Sequence, residues 1–302
     1  MSSHRTASTT DGNDGSRTYR PSPRPRFDGP SAIPYANVTR HIWGDAESGE
    51  VFDWIYASTD LIHTLVFGLA PSGSFLHSRE FRTVFGADEA LHVLSGTMIL
   101  ANPQTGEVIR VPTGESALLR AGTWHHAFAH GPEPLRVLEF LAPPPSAGTT
   151  GAYARTREYL EQSTYHDDTI LGHFSGADAG PATRTLHRRG PDQLVYRMDG
   201  DAIIGLIVST EHLTAASLSL PVSATSTVHA HAGDEIIYVT DGSLTVRVWH
   251  DDATHVFELG PRDAAYVPAE ARHEYRNYGG TEARGLLAVA PSFAAPADVG
   301  AA

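Results

Sequence analysis

The 302-residue chain contains no cysteine and no lysine; all 22 of its basic residues are arginine. Without thiols there are no disulfides, no iron–sulfur clusters, no thiolate metal ligands and no cysteine nucleophile. Without lysine there is no internal Schiff base, and so no covalently held pyridoxal phosphate. No apolar run reaches about 18 residues, so no transmembrane helix is expected. The opening Met-Ser-Ser-His-Arg-Thr-Ala lacks the apolar core of an export signal, and a cytoplasmic location is the expectation. Positive charge is also scarce. The net charge is −13 at pH 7 and no arginine-rich cluster with interleaved aromatics stands out, which argues against nucleic acid and anionic membranes as partners. Glycine-rich phosphate loops are absent, and Pro71-Ser-Gly-Ser-Phe has no strand-to-helix frame that would make Ser72 or Ser74 a nucleophile. Hard chemistry is left to a metal, or to a serine or carboxylate mechanism.

What the chain does contain is strand-like text. Short runs of Val, Ile, Leu, Phe and Tyr alternate with Gly, Asp and Pro from Ala32 onward, as in Leu61–Leu69, Leu91–Gly96 and Leu135–Leu141. Residues 1–30 are Ser, Thr, Gly, Asp, Pro and Arg with almost nothing apolar, and read as a disordered tail. Residues 147–192 are rich in Gly, Ala, Thr and Arg and read as a linker. One helix is expected within it, at Ala152–Gln162, where Tyr153, Tyr159 and Leu160 would share a face. The organisation is therefore all-β, with domains at 31–146 and 193–302.

The densest chemical signal is His229-Ala-His231-Ala-Gly-Asp-Glu235, followed 38 residues later by His273. Histidines one residue apart on a strand point to the same face. Three imidazoles and a carboxylate converging on one point would make a first-row transition-metal site. His250 and His255 flank Asp251-Asp252, a spacing that fits a solvated hairpin turn and no calcium loop.

The run His229-x-His231-(x3)-Glu235-(x6)-Gly242 resembles the first motif of the cupin superfamily. Gly260-(x7)-Pro268-(x4)-His273-(x3)-Asn277 resembles the second, with two extra residues before the proline and Glu270 where the motif carries glycine. The resemblance implies an antiparallel jelly-roll barrel with a metal in its mouth. It implies His229, His231, Glu235 and His273 as the four ligands, and Asn277 as a structural neighbour.

The motif text occurs twice. Glu89–Gly96 matches Glu235–Gly242, Gly122–His125 matches Glu270–His273, and Leu141-Ala-Pro143 matches Val289-Ala-Pro291, at offsets of 146, 148 and 148. The chain is thus expected to be a bicupin: two cupin-type jelly rolls joined by a partly helical linker. The copies differ in chemistry. Thr83 and Phe85 stand opposite His229 and His231, so the first copy keeps only Glu89 and His125. His77 could complete a metal site there with a longer intervening loop; otherwise Phe85 fills the vacated pocket.

A site of three histidines and one carboxylate leaves coordination positions open for substrate oxygens, water or dioxygen. Iron(II) is favoured, with manganese, nickel, copper and open-site zinc also compatible. Strand alternation turns Ile237, Val239 and Tyr275 toward the same pocket, an apolar lining with one phenol that can pass a proton. That lining points to a small hydrophobic or aromatic oxygenated substrate and to a dioxygenase-type oxidoreductase. The alternatives are a redox-neutral isomerase, cyclase, lyase or decarboxylase, and a ligand-binding bicupin without turnover. A homodimer is expected, with the segment His41–Trp54 supplying an added edge strand.

Overall fold

The structure, a computed structural model, describes residues 23–45, 49–76, 83–143, 155–156, 184–291 and 293. Regular structure there is almost wholly antiparallel strand. In the C-terminal half a seven-stranded sheet runs in the order Ser31–Ile33, Ala264–Val267, Asp234–Asp241, Ala283–Ala290, Thr214–Leu220, Ala202–Ser209 and Val195–Asp199. A three-stranded sheet of Ala253–Leu259, Leu244–His250 and Arg272–Arg276 accompanies it. The N-terminal half repeats the plan with seven strands from Leu186–Arg189 to Thr39–Asp45 and a second sheet of four. Antiparallel sheets folded over one another in this way are jelly rolls.

Alternation explains the layering. On Asp234–Asp241, Glu235, Ile237 and Val239 share one face; Ile237 and Val239 join the core of their own barrel, with Val246, Val248, Leu287 and Tyr275. Ile236 and Tyr238 face the other way, into an apolar layer that also holds Tyr56, Leu138 and Phe140 of the first barrel. The two large sheets therefore lie back to back. Tyr56 meets Tyr238 edge-on at 5.4 Å, and its hydroxyl donates to the Arg262 carbonyl at 2.7 Å. The turn at Asp251-Asp252 has φ of 48° and 60°, the left-handed pair that a two-residue hairpin requires.

The boundaries differ from those expected in three places. Ser31–Ile33 pairs with Ala264–Val267 of the second barrel, while Leu186–Arg189, within the expected linker, pairs with Ser116–Leu119 of the first. Each barrel thus borrows a strand from the far side of the chain. Most of the expected helix at 152–162 lies outside the described residues; Arg155–Thr156 form a short strand against Thr83–Val84. Of the expected tail, residues 1–22 lie outside the described residues, and residues 23–30 make defined contacts. Phe27 stacks on Tyr266 at 5.4 Å, the Pro25 carbonyl accepts from Ser58 N at 2.7 Å, and Arg26 pairs with Asp60. One aromatic in an otherwise polar segment supplies the burial that its composition hides. Removing residues 1–28 is therefore expected to lower the melting temperature by about 3–6 °C, as loss of one to two kcal/mol does in a domain of this size. An unchanged transition by calorimetry would mean these contacts contribute nothing.

Candidate metal centre

The site is assembled from one strand of each sheet of the second barrel and one loop. His273 lies on Arg272–Arg276, paired with Leu244–His250. His229 bridges to it, with N–H to O=C contacts of 2.9 and 2.8 Å in both directions. Glu235 opens Asp234–Asp241, beyond the bend at Ala232-Gly233. The loop is braced by Glu270 N donating to the His231 carbonyl at 2.7 Å and by Ala269 N donating to Asp234 at 3.1 Å. Glu270 has φ of 67°, the left-handed conformation that explains why glycine suits this place in the motif.

The ligand atoms of His229, His231, Glu235 and His273 all lie within 4.8 Å of one another. Each imidazole turns Nδ1 to a backbone carbonyl: Thr227 at 3.0 Å for His229, Phe293 at 3.2 Å for His231, Ala271 at 3.0 Å for His273. Those contacts favour Nδ1–H and leave Nε2 as the free lone pair. The Nε2 atoms of His231 and His273 and Oε2 of Glu235 are buried with no hydrogen-bond partner. Glu235 Oε2 is 3.0 Å from His231 Nε2 and 3.4 Å from His273 Nε2. Buried polar atoms that face one another unsatisfied are costly, and a divalent ion at their common focus satisfies all of them. The residues fit a metal.

Electrostatics agree with that arrangement. Burial pushes the Glu235 carboxyl up, but the imidazoles of His273 and His231 outweigh it and hold it well below the usual range. Burial pulls His273 down, and the Glu235 carboxylate beside it outweighs that and raises it. His229 is lowered to about 4, by burial first and then by His273. A metal needs the neutral imidazole of His273, so it competes with the proton that the Glu235 carboxylate favours there. Because that proton leaves above the ordinary value of 6.5, metal affinity is expected to keep rising with pH through neutrality. Titration calorimetry across pH 6–8 reads this directly, and a flat affinity would contradict it.

Tyr275 is buried beside the ligands, and its hydroxyl donates to Glu235 Oε1. It therefore acts on the carboxylate rather than projecting into open space. Its backbone N–H donates to Ser226 Oγ at 2.8 Å, which fixes the strand. Ile237 and Val239 face the interior as alternation requires, yet both are 0% exposed and sit in the core below Glu235. Sequence reasoning missed the groups at the outer rim. Asp199 Oδ2 lies 3.3 Å from His229 Nδ1 and also accepts from Thr227. Phe293 packs on His231 at 4.3 Å between ring centroids, and the Arg197 guanidinium lies 4.3 Å above Phe293. These residues come from the Val195–Asp199 edge strand and the segment past the last strand, with no motif spacing to mark them.

In the first barrel, His125 Nε2 is 3.6 Å from Glu89 Oε2, and Phe85 stands 6.2 Å from His125 where His231 stands 5.4 Å from His273. His77 lies outside the described residues. Among the described residues, only in the second barrel do the ligand atoms of three or more such side chains converge closely enough to hold an ion.

Back-to-back jelly rolls with a three-histidine, one-glutamate focus define a bicupin, and the chain belongs to the cupin superfamily. The cupin domain family matches it twice, over residues 86–141 and 217–289. No curated protein matches the sequence. Among solved structures it is similar to oxalate decarboxylase of Lactobacillus farciminis in its formate complex, with a TM-score of 0.60, 14% identity, and coverage of 87% of this chain and 86% of that one. It is also similar to a variant of Bacillus subtilis oxalate decarboxylase, with a TM-score of 0.61, 12% identity, and coverage of 90% and 79%. At such identity the likeness is one of fold. No helix among the described residues is long and apolar enough to cross a membrane.

Proposed function

We propose that this protein is a metal-dependent enzyme of redox-neutral, lyase type that acts on a small oxygenated carboxylic acid at the centre formed by His229, His231, Glu235 and His273. The observation that carries the metal is the set of orphaned Nε2 and Oε2 atoms facing one point. The dioxygenase expectation drew on an apolar lining, but Ile237 and Val239 are sealed in the core and offer a substrate nothing. The group that reaches the rim is polar: His229 keeps 20% of its side chain exposed, with Asp199, Phe293 and Arg197 beside it. Decarboxylation by the bicupins of like fold is in keeping with that rim.

The metal, when bound, supplies a Lewis acid that holds substrate oxygens and stabilises negative charge developing on them. The chain supplies the rest. Arg197 offers a planar donor pair to a carboxylate approaching past His229. Asp199 and the three carbonyls orient the imidazoles, and Tyr275 holds Glu235 in one rotamer. Tyr275 is thus a positioning residue. A divalent first-row ion without redox activity suffices for this chemistry, and elemental analysis of purified protein names it. We further propose a homodimer. Val195 and Met198 on one outermost strand, and Ile42 on another, are exposed apolar side chains on sheet edges that a second copy would cover.

The test is turnover of small 2-oxo and dicarboxylic acids by the metal-loaded protein, followed by carbon dioxide release and by an oxygen electrode. The expected result is carbon dioxide without oxygen uptake, and a KM at least about tenfold higher in Arg197→Ala with little change in kcat, as for lost ground-state binding. Oxygen consumed in step with product would instead establish the dioxygenase reading.

A further inference from the structure

The first barrel has lost two metal ligands, yet its interior has not become plain hydrocarbon. The strand registers allow a position-by-position comparison. Glu139 pairs with Leu65 and Leu91, as Leu287 pairs with Ala216 and Ile237. Asp53 pairs with Phe67, as Ile204 pairs with Leu218. His63 pairs with Leu141, as Thr214 pairs with Val289. Where the metal barrel is filled by Leu287, Ile204 and Thr214, the first barrel carries Glu139, Asp53 and His63. The fold does not require these polar groups, since its twin does without them. A barrel retained only for packing would have moved the other way.

Glu139 acts on Asp53 and bonds Glu89, yet these side chains do not fill the barrel. They line a cavity of about 90 Å³. Trp43, Phe67, Phe75 and Phe85 form its aromatic walls, and Asp53, Glu139, His63 and His125 its polar groups. Glu139 is 8% exposed and His63 3%. Glu89, at 0% exposure, stands behind them, hydrogen-bonded to the Glu139 carboxyl and 3.6 Å from His125 Nε2. No arginine is among the residues lining the cavity. Arg24, outside that lining, bonds Ser58 and acts on His63.

We propose that the N-terminal barrel is a binding site for a small organic ammonium ion, held between the aromatic walls and the carboxyl groups of Asp53 and Glu139. Ring faces attract a cation, and the attraction grows where water is excluded. Ammonium N–H groups donate to carboxyl oxygens, and their charge offsets the cost of burying carboxylates. An engineered 150 Å³ apolar cavity holds the six non-hydrogen atoms of benzene, so this smaller one takes a ligand of about four or five. A carboxylate ligand would add negative charge beside Asp53, Glu139 and Glu89, whose carboxyls burial already pushes up. The site is independent of the metal centre and of the reaction proposed for it.

The test uses three probes on one branched four-carbon skeleton with the full-length protein by titration calorimetry, with tryptophan fluorescence as a second readout: isobutylammonium chloride, isobutanol and sodium isobutyrate. The ammonium ion is expected to bind at least about tenfold more tightly than the alcohol, a typical gain for a desolvated cation–π and charge-assisted contact. Glu139→Leu installs the residue the twin barrel already carries, so the variant is expected to fold at least as stably and to lose that preference. Asp53→Asn serves as the second variant should Glu139→Leu not fold. An amine ligated by the metal would be indifferent to both changes. Equal binding of amine and alcohol, preference for isobutyrate, unaltered amine binding in the variants, or no saturable amine binding below about 10 mM would each overturn the proposal.

Discussion

Replacing His231 with alanine is expected to take the metal content from about one ion per chain to almost none, while the fold survives. His231 supplies one of the two Nε2 atoms that face Glu235 Oε2, at 3.0 Å. Its removal leaves His229, Glu235 and His273, with the rim ring of Phe293 no longer packed on an imidazole. Losing a group that merely orients a ligand costs about 10- to 100-fold in metal affinity, so losing a ligand costs at least the upper end of that range. The strands themselves are held by ladders that do not include His231, so circular dichroism and the melting profile of the metal-free protein should change little. Tyr275→Phe makes the contrasting case. It keeps the ring and releases Glu235 Oε1, so affinity should fall by the orienting factor of about 10- to 100-fold without emptying the site. Full metal occupancy in His231→Ala, measured by elemental analysis after dialysis, would remove His231 from the ligand set.

The contrast between those two residues mirrors what was legible in the sequence. His231 could be placed because its partners are fixed by short-range rules: two positions from His229, four from Glu235, on strand text whose period is two. The duplication was legible for the same reason, as fixed offsets between motif-bearing segments. Tyr275 could be turned inward by alternation, but which atom its hydroxyl would meet depends on the separation of two strands that are distant in sequence. Ile237 and Val239 show the limit from the other side. Facing inward and facing a substrate are different properties, and only packing separates them. Asp199 and Phe293 carry no pattern at all, because they reach the site from an edge strand and a terminal segment. The exchange of Ser31–Ile33 and Leu186–Arg189 between barrels was hidden because a short strand's text does not say which sheet edge it will join. The acidic interior of the first barrel was hidden too: Asp53 and Glu139 are ordinary polar residues until register places them on the face that packs inward.

Gly233→Ala is expected to be the most damaging single-methyl change near the metal centre. Gly233 forms the bend between His231 and the strand that begins at Asp234, where the chain passes directly over the end of the neighbouring strand. A Cβ there would lie 2.1 Å from the Ala290 carbonyl oxygen, 2.4 Å from its carbon and 2.8 Å from Pro291 N. All three are backbone atoms, so no side chain can rotate away; either the bend lifts or the Ala283–Ala290 strand retreats. Overpacking of this kind costs about 1–3 kcal/mol, with the upper end expected where backbone must move. That corresponds to a fall of about 6–12 °C in melting temperature for a domain of this size. The same lift carries Glu235 away from His231 and His273, so metal affinity should fall together with stability. Gly280→Ala is the matched control, because a Cβ at that glycine meets nothing within 4 Å. Calorimetry and metal titration on the pair separate the two causes. If Gly233→Ala melts like Gly280→Ala and keeps its metal, the bend tolerates a side chain, and the spacing between His231 and Glu235 is set by something other than this close approach.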